Sequence, residues 1–569
     1  MNKSRRAFLG NGAAVLAAAR SQQVIAPDQG QFLSHDIIRP PDFAAAYAEG
    51  VGRFELSKSG DRWKAKGVSV AANARRAGTS ATLLISLEAP QSALERIHLR
   101  WSVRFPAGSR FLGDHWERSY GDLEWRGFAA DRIMPWYFLV AMGKKTRGYG
   151  VKTGARAFAF WQVDPEGISL WLDVRNGGSG VRLGDRRLDA AEVLVIEGNP
   201  DGGPLGAAQE LCRALCDHPR LPPQPVYGSN NWYYLYGKNM SAQNVLRDVD
   251  QLAELSPFGG NRPYMVIDMG WGKAGSGAGP WTEENLQVPE VPGLPAEMKK
   301  RGVRPGIWVR PLLTVEPRAK GWKIQRDQSP QSPDSPFVLD PSIPEMLAYM
   351  KDGLRRVTGW GYELVKHDFS TFDILGRWGF KMGEEITDGG WHFADRSRTS
   401  AEIILTFYRA VREGVGDAVL IGCNTMGHLG AGIFEVQRTG DDTSGRDWDR
   451  TRKMGVNTLA FRLAQHRRFF LLDPDCAPLT RAVPIEMTRQ WLNLVARSGT
   501  VLFISADPVS VSSMEKTLLK NALAMAAQGQ PEAVPLGWMD TMFPDRWRLG
   551  NTAMQFNWYS KEGVDFFPG

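Results

Sequence analysis

Cysteine is scarce in this chain: 569 residues hold four, Cys212, Cys216, Cys423 and Cys476. Four dispersed cysteines in a chain of this size do not form a disulfide framework. Cys212 and Cys216 stand one helical turn apart, but further ligands are missing nearby and the eight histidines form no cluster, so no metal is expected. No glycine-rich phosphate loop occurs either, so no nucleotide or other cofactor is expected. Basic runs are absent too: 69 Lys and Arg face 62 Asp and Glu for a net charge of +7, and Arg446 to Lys453 is interleaved with Asp447 and Asp449. That pattern is a solvated helical face rather than a nucleic-acid arm. No apolar run approaches the roughly 20 residues of a membrane helix, so stable membrane insertion is not expected. Nothing in the sequence specifies an oligomeric state.

What is present is ordinary globular material, 43% hydrophobic and 23% charged, with 20 tryptophans. Indole faces fill cores and also stack on the C–H faces of sugars. The length implies several domains, or fewer with a large barrel among them. Ser4-Arg-Arg-Ala-Phe-Leu-Gly10 precedes a short weakly apolar stretch, Ala13 to Ala19, and resembles a twin-arginine export signal. Residues 1–26 are therefore set aside from the fold. The expectation is export, already folded, by the twin-arginine machinery to a bacterial periplasm or beyond.

Residues 27–218 read as short alternating segments, such as Ala81 to Glu88 and Ile168 to Val174, broken by Gly, Asp and Asn. Antiparallel strands and an N-terminal β-sandwich follow from that period of two. The proline-rich link Pro219 to Pro225 marks a boundary. Beyond it strands alternate with helices: strands at 226–234, 265–268, 305–310, 363–367, 418–422, 433–437, 469–472 and 500–505, with helices between them. Eight such units across residues 219–510 predict a (β/α)₈ barrel, whose functional residues gather at the C-terminal ends of its strands. Residues 511–569 are expected to hold a helix and an abbreviated β region.

Lys366-His-Asp368 closes the fourth barrel strand and Arg438-Thr-Gly-Asp441-Asp442 follows the sixth. Residues two apart on a strand share a face, so Lys366 and Asp368 both point into the barrel mouth, where the ammonium favours an ionised carboxylate. A structural ion pair is the plainer reading of an isolated Lys-x-Asp, but polar residues end the other strands as well. Two carboxyl groups, one ionised and one holding its proton, are what glycosidic bond cleavage requires. The second could be Asp441 or Asp442, in a segment that is also turn-like. Asp268 ends the second strand, where it can accept bonds from sugar hydroxyls. Trp232 and Trp308, after strands one and three, offer stacking surfaces. Cys423 follows strand five, and Asp473 and Asp475 end strand seven as bracing groups.

In order along the chain, Tyr227-Gly-Ser-Asn-Asn-Trp232-Tyr, Val266-Ile-Asp268-x-Gly-Trp271, Gly306-Ile-Trp308, Lys366-x-Asp368-Phe, Gly422-Cys423, Arg438-x-Gly-x-Asp442 and Leu472-Asp-Pro-Asp-Cys476 resemble glycoside hydrolase family 36, the α-galactosidase family that shares a clan with family 27. The resemblance covers about residues 220 to 510, and the N-terminal domain matches only in kind. It implies a retaining exo-α-glycosidase with Asp368 as nucleophile and Asp442, rather than Asp441, as acid/base. It also implies sugar contacts from Trp232, Asp268, Trp308, Lys366, Cys423 and Arg438, and an oligosaccharide or glycoside as substrate.

One departure stands out. The resemblance implies paired aspartates after strand two, and here the second position is Met269. A thioether cannot replace an acceptor carboxylate, and a lost charged hydrogen bond costs roughly 1.5–3 kcal/mol, about one to two decades in binding. Terminal α-galactose is therefore the leading glycone, with N-acetylgalactosamine, β-L-arabinopyranose or transfer to a sugar acceptor as alternatives on the same mechanism. A non-catalytic carbohydrate-binding protein would keep the tryptophans without needing both Asp368 and Asp442.

Overall fold

The computed structural model describes residues 37–77, 80–256, 259–272, 277–327, 335–560 and 563–564; the expected export signal lies outside them. The N-terminal part is a 13-stranded antiparallel sheet folded into two layers by one long strand, Ser80–Ser102. Its first half pairs with Val68–Ala77 and Val181–Glu197, its second with Phe43–Ala48 and Gly167–Asp173. Alternate residues of this strand, Leu83, Ile85 and Leu87, then Ile97, Leu99 and Trp101, are fully buried. This is the period of two that the sequence displays. Trp136, Phe138 and Trp161 fill the space between the layers, with Phe138 and Trp161 5.6 Å apart. Truncating a buried tryptophan of this kind costs about 3–5 kcal/mol.

The second part is a closed barrel of parallel strands: β1 (Tyr227–Asn230), β2 (Tyr264–Ile267), β3 (Arg304–Val309), β4 (Leu364–His367), β5 (Val419–Gly422), β6 (Val436–Arg438), β7 in two pieces (Leu471–Asp473 and Cys476–Leu479) and β8 (Leu502–Ala506). Neighbours pair in chain order, and β8 pairs with β1. The first piece of β7 pairs with β6 and the second with β8, so the break at Pro474-Asp475 is where the barrel closes. The strands are short and buried throughout, as strands covered by helices must be.

The helices carry their own punctuation. Ser241 caps Ala242–Leu255 by accepting the amide of Asn244, and a capping box of Thr399 and Glu402 opens Ser400–Val415. The helix Ser513–Gln528, which the sequence groups with the C-terminal region, packs between the helices Ala242–Leu255 and Ile485–Arg497 and completes the outer ring of the barrel. After it come the strands Val534–Pro535, Arg546–Leu549 and Thr552–Gln555 of a small sheet.

The two parts are interlocked. The long connection after β4, residues 376–399, lies on the β domain, where the Asn176 side chain donates to the carbonyls of Asp395 and Arg398 and Glu385 pairs with Arg96 and Arg175. Among the described residues no helix is long and apolar enough to cross a membrane.

Candidate active site

The C-terminal ends of β2 to β7 bring one set of polar side chains together. Asp368 follows β4 directly. Its Oδ1 accepts the backbone amides of Phe369 at 2.8 Å and Asn424 at 3.0 Å, and its Oδ2 accepts the indole N–H of Trp308 at 2.9 Å. Phe369 adopts a left-handed φ of 63°, which turns the chain sharply and aims its amide back at the carboxylate. Burial alone would raise the Asp368 pKa; the cations Lys366 and Arg118, with the Trp308 and Phe369 hydrogen bonds, overcome it and hold the group at about 2.

Lys366 shares the face of Asp368, but its hydrogen bond goes elsewhere: Nζ donates to Asp268 Oδ2 at 2.8 Å. It acts on Asp368 through space. Asp268 is fixed further by Asn230 Nδ2 at 2.7 Å and by the amide of Met269 at 2.8 Å. Asn230 also accepts the amide of Trp232 at 2.8 Å, so β1 and β2 position this corner jointly. Trp232 opens a short helix, Trp232–Leu235, and is half-buried beside Tyr236.

Trp308 departs from its expected role. It lies within β3 rather than after it, is 1% exposed, and its ring is packed so closely on Gly277 that a Cβ there would sit 2.2 Å from it. Gly277, at φ 73°, has a backbone conformation and a clearance that only glycine provides. A covered indole whose N–H points at Asp368 orients a carboxylate; it presents no broad stacking surface.

Arg438, the last residue of β6, is wholly buried. Its guanidinium reaches Asp475 Oδ2 at 2.8 Å, Asp442 Oδ1 at 3.3 Å and Cys423 Sγ at 3.5 Å. Asp475 sits in the break of β7 at φ 72° and also accepts the Thr443 amide and hydroxyl and the Tyr233 hydroxyl. Its pKa is lowered: burial would raise it, and Arg438, Lys366 and these donors prevail. Asp473, with fewer donors, is pushed up to about 6 by burial and by Asp475.

The neighbouring aspartates after β6 diverge. Asp441 lies between two guanidinium groups, Arg118 at 2.6 Å and Arg450 at 2.7 Å, which outweigh its burial and lower its pKa. Asp442 keeps a side chain 36% exposed, 3.3 Å from Arg438 and 3.9 Å from Arg118. Its pKa is raised, because desolvation and the nearby Asp475 and Asp441 outweigh both arginines. One carboxylate is thus neutralised by pairing and the other is left able to hold a proton.

Arg118 is a member of this set that strand-end reasoning misses, because it comes from the β domain, some 300 residues from its partner Cys423. The segment His115 to Gly121 interrupts the alternating strand pattern with a polar run, and that interruption is the sequence signal. Glu117 beside it is fully buried and accepts hydrogen bonds from the Gly379 amide at 2.9 Å, Asn424 Nδ2 and the Tyr120 hydroxyl. Among the described residues no group of His, Cys, Asp and Glu is arranged to hold a metal ion.

No family model matches the chain, and no curated protein does. Solved structures do. The α-galactosidase TtGalA of Thermus thermophilus in complex with p-nitrophenyl α-D-galactopyranoside aligns over 86% of this chain and 96% of its own, with a TM-score of 0.59 at 18% identity. The same protein in complex with stachyose aligns over 80% and 97%, with a TM-score of 0.56 at 18% identity. The GH36 α-galactosidase AgaB of Geobacillus stearothermophilus aligns over 86% and 75%, with a TM-score of 0.56 at 13% identity. The β domain, the barrel and its closure together therefore make a fold like that of the GH36 α-galactosidases.

Proposed function

We propose that the chain is a retaining exo-α-glycosidase of the α-galactosidase kind, with Asp368 as nucleophile and Asp442 as acid/base. The observation that carries this reading is the contrast of two carboxyl groups at one barrel mouth: Asp368 is buried among three hydrogen-bond donors that favour its ionised form, whereas Asp442 stays partly exposed, 3.3 Å from Arg438, with its proton affinity raised. An ionised carboxylate attacks C1 of the sugar while the C1–O bond to the leaving group breaks, and that oxygen takes the proton of Asp442. Water then attacks C1 of the glycosyl ester, gives its proton to Asp442, and releases the Asp368 carboxylate. Two inversions return the α configuration. Asp268, Lys366, Cys423 and Trp232 would contact the sugar, Trp308 would hold the nucleophile, and Arg438 would brace Asp442.

The fold neighbours are α-galactosidases crystallised with galactosides, which supports galactose as the glycone. Met269 supports a second reading, in which the glycone lacks the hydroxyl that a carboxylate there would accept; N-acetylgalactosamine and β-L-arabinopyranose are the alternatives. The test is a panel of nitrophenyl α-galactoside, α-N-acetylgalactosaminide and β-L-arabinopyranoside, with the anomer of the first-formed product followed by proton NMR. Turnover of one glycoside with retention is expected; inversion, or binding without turnover of any, would overturn the reading. The twin-arginine motif at Arg5-Arg6 supports export to the periplasm or beyond. Retention of an Arg5→Lys, Arg6→Lys double variant in the cytoplasm is the expected outcome, and unchanged export would refute this route.

A further inference from the structure

The loop of residues 114–121 ends inside the barrel mouth although its neighbours in sequence are sandwich strands. Buried charged side chains are costly unless paired. The side-chain partners of Glu117 and Arg118 lie on the barrel or within the loop itself. Arg118 Nη2 meets Asp441 Oδ1 at 2.6 Å, and Nη1 lies 3.9 Å from Asp442 Oδ1 and donates to Cys423 Sγ at 3.7 Å. Glu117 holds the side-chain amide of Asn424, whose carbonyl oxygen accepts the Phe372 amide at 3.0 Å. Asn424 is thereby fixed at both ends, and its backbone amide is one of the donors to Asp368 Oδ1.

The loop does not need these two side chains to stay in place. The Ser119 amide donates to the Thr439 carbonyl at 2.9 Å, and the Asp441 amide returns a bond to the Ser119 carbonyl at 3.0 Å. Arg462 pairs with both oxygens of Asp114, at 2.8 and 3.0 Å, and donates to the Glu117 carbonyl at 2.6 Å. The main chain is thus pinned to the barrel by Asp114, Ser119 and Arg462, while Glu117 and Arg118 project towards the two carboxyl groups.

We infer that Glu117 and Arg118 are positioning residues lent by the β domain to the barrel: Arg118 draws Asp441 away from Asp442, and Glu117 fixes Asn424 and so the orientation of the Asp368 carboxylate. The inference rests on the glycosidase reading above. Asp441 and Asp442 are adjacent in sequence, and two carboxyl groups sharing one site compete for one proton. With Arg118 and Arg450 on Asp441, the proton is left to Asp442. Asp442 is faced also by Arg438, Asp475 and Tyr233, and Asp368 by Lys366, Cys423, Asp373 and His367, whereas the ion pairs of Asp441 are with Arg118 and Arg450.

The test uses the full chain with Arg118→Ala, Arg118→Lys and Glu117→Gln, assayed on two glycosides of the preferred sugar, one with a dinitrophenyl and one with an alkyl leaving group. Arg118→Ala is expected to lose ~10–100-fold in kcat/KM on the alkyl glycoside, a part of what a general acid contributes, and only about threefold on the dinitrophenyl one. Both limbs of its pH profile should move upward, since one cation is removed from Asp368 and Asp442 alike. Millimolar guanidinium should restore part of the alkyl glycoside rate. Glu117→Gln should lower kcat on both substrates equally, because the nucleophile is needed whichever group leaves, and should ignore guanidinium. If Arg118→Ala fails to fold, Arg118→Lys decides, with an intermediate loss expected and a wild-type profile overturning the inference. Equal losses on both substrates for Arg118→Ala, an unmoved pH profile and no response to guanidinium would reduce Arg118 to packing. An inactive wild type defeats the glycosidase reading itself, whereas an active wild type with indifferent variants defeats only this inference.

Discussion

Replacing Asp441 and Asp442 one at a time separates the proton donor from its neighbour. A general acid contributes ~10²–10⁴-fold, or about 3–5 kcal/mol at 1.36 kcal/mol per decade. Asp442→Ala should lose that factor on an alkyl or sugar glycoside, whose leaving oxygen cannot depart without a proton. A dinitrophenolate departs unaided, so the same variant should still form the glycosyl ester quickly from that substrate and then accumulate it, because nothing activates water. Azide needs no base. It should release the enzyme and yield the α-glycosyl azide, with configuration retained. In Asp368→Gly, azide should instead displace the leaving group once and yield the β-azide.

Asp441→Asn acts differently. It deprives Arg118 and Arg450 of the charge they meet at 2.6 and 2.7 Å. Leaving a buried cation unpaired costs about 3–5 kcal/mol of stability, so this variant should melt lower and lose activity equally on both leaving groups. Initial rates on the two substrates and NMR of the azide products report each outcome. A leaving-group-dependent, azide-responsive Asp441→Asn beside an indifferent Asp442→Ala would refute the division of labour drawn from the two ion-pair environments.

Met269→Asp adds an acceptor next to Asp268, and a charged hydrogen bond of roughly 1.5–3 kcal/mol should lower KM for α-galactosides by about one to two decades; an unchanged KM would show that the sugar does not reach this position. Arg462→Ala leaves Asp114 buried without its bidentate partner, so urea unfolding should show a loss of about 3–5 kcal/mol, and a loss below about 1 kcal/mol would deny the loop its anchor. The buried histidines His367 and His466, held neutral by burial at about 3, and His428, at about 4, predict acid lability. Their folded pKa values are depressed, so the unfolded chain binds protons first and stability is lost as pH falls below about 6.5. At pH 5 each contributes about 2 kcal/mol of that loss, and a melting temperature constant from pH 7 to 5 would contradict it.

The residues that ended strands were legible because a parallel barrel turns position along the chain into position in space. Asp268, Asp368 and Arg438 needed only an apolar run before them to be placed at one mouth. Trp308 was placed but its role was not, since only packing shows its ring against Gly277 and its N–H on Asp368. The break in β7 was hidden as well: Pro474-Asp475 reads as a turn after a strand, whereas the chain resumes the same strand against β8, and the positive φ of Asp475 aims its carboxylate at Arg438.

For Glu117 and Arg118 the polar run His115 to Gly121 marks an interruption but not a destination, because no local period links a sandwich loop to a barrel mouth. Charge nevertheless gives Arg118 its place. Asp268, Asp368, Asp441, Asp442, Asp473 and Asp475 gather at this mouth, and the barrel sets Lys366, Arg438 and Arg450 against them. Arg118 adds a cation from the β domain and takes the shorter ion pair of Asp441, while proton affinity rises at Asp442 and Asp473 and also at Glu117 and Asp373. Without Arg118, Asp441 loses its shorter ion pair and competes with Asp442 for a proton. The β domain therefore enters the electrostatics of the barrel mouth through Glu117 and the Arg118 guanidinium, and the full chain with Arg118→Ala should keep sugar binding better than it keeps proton transfer.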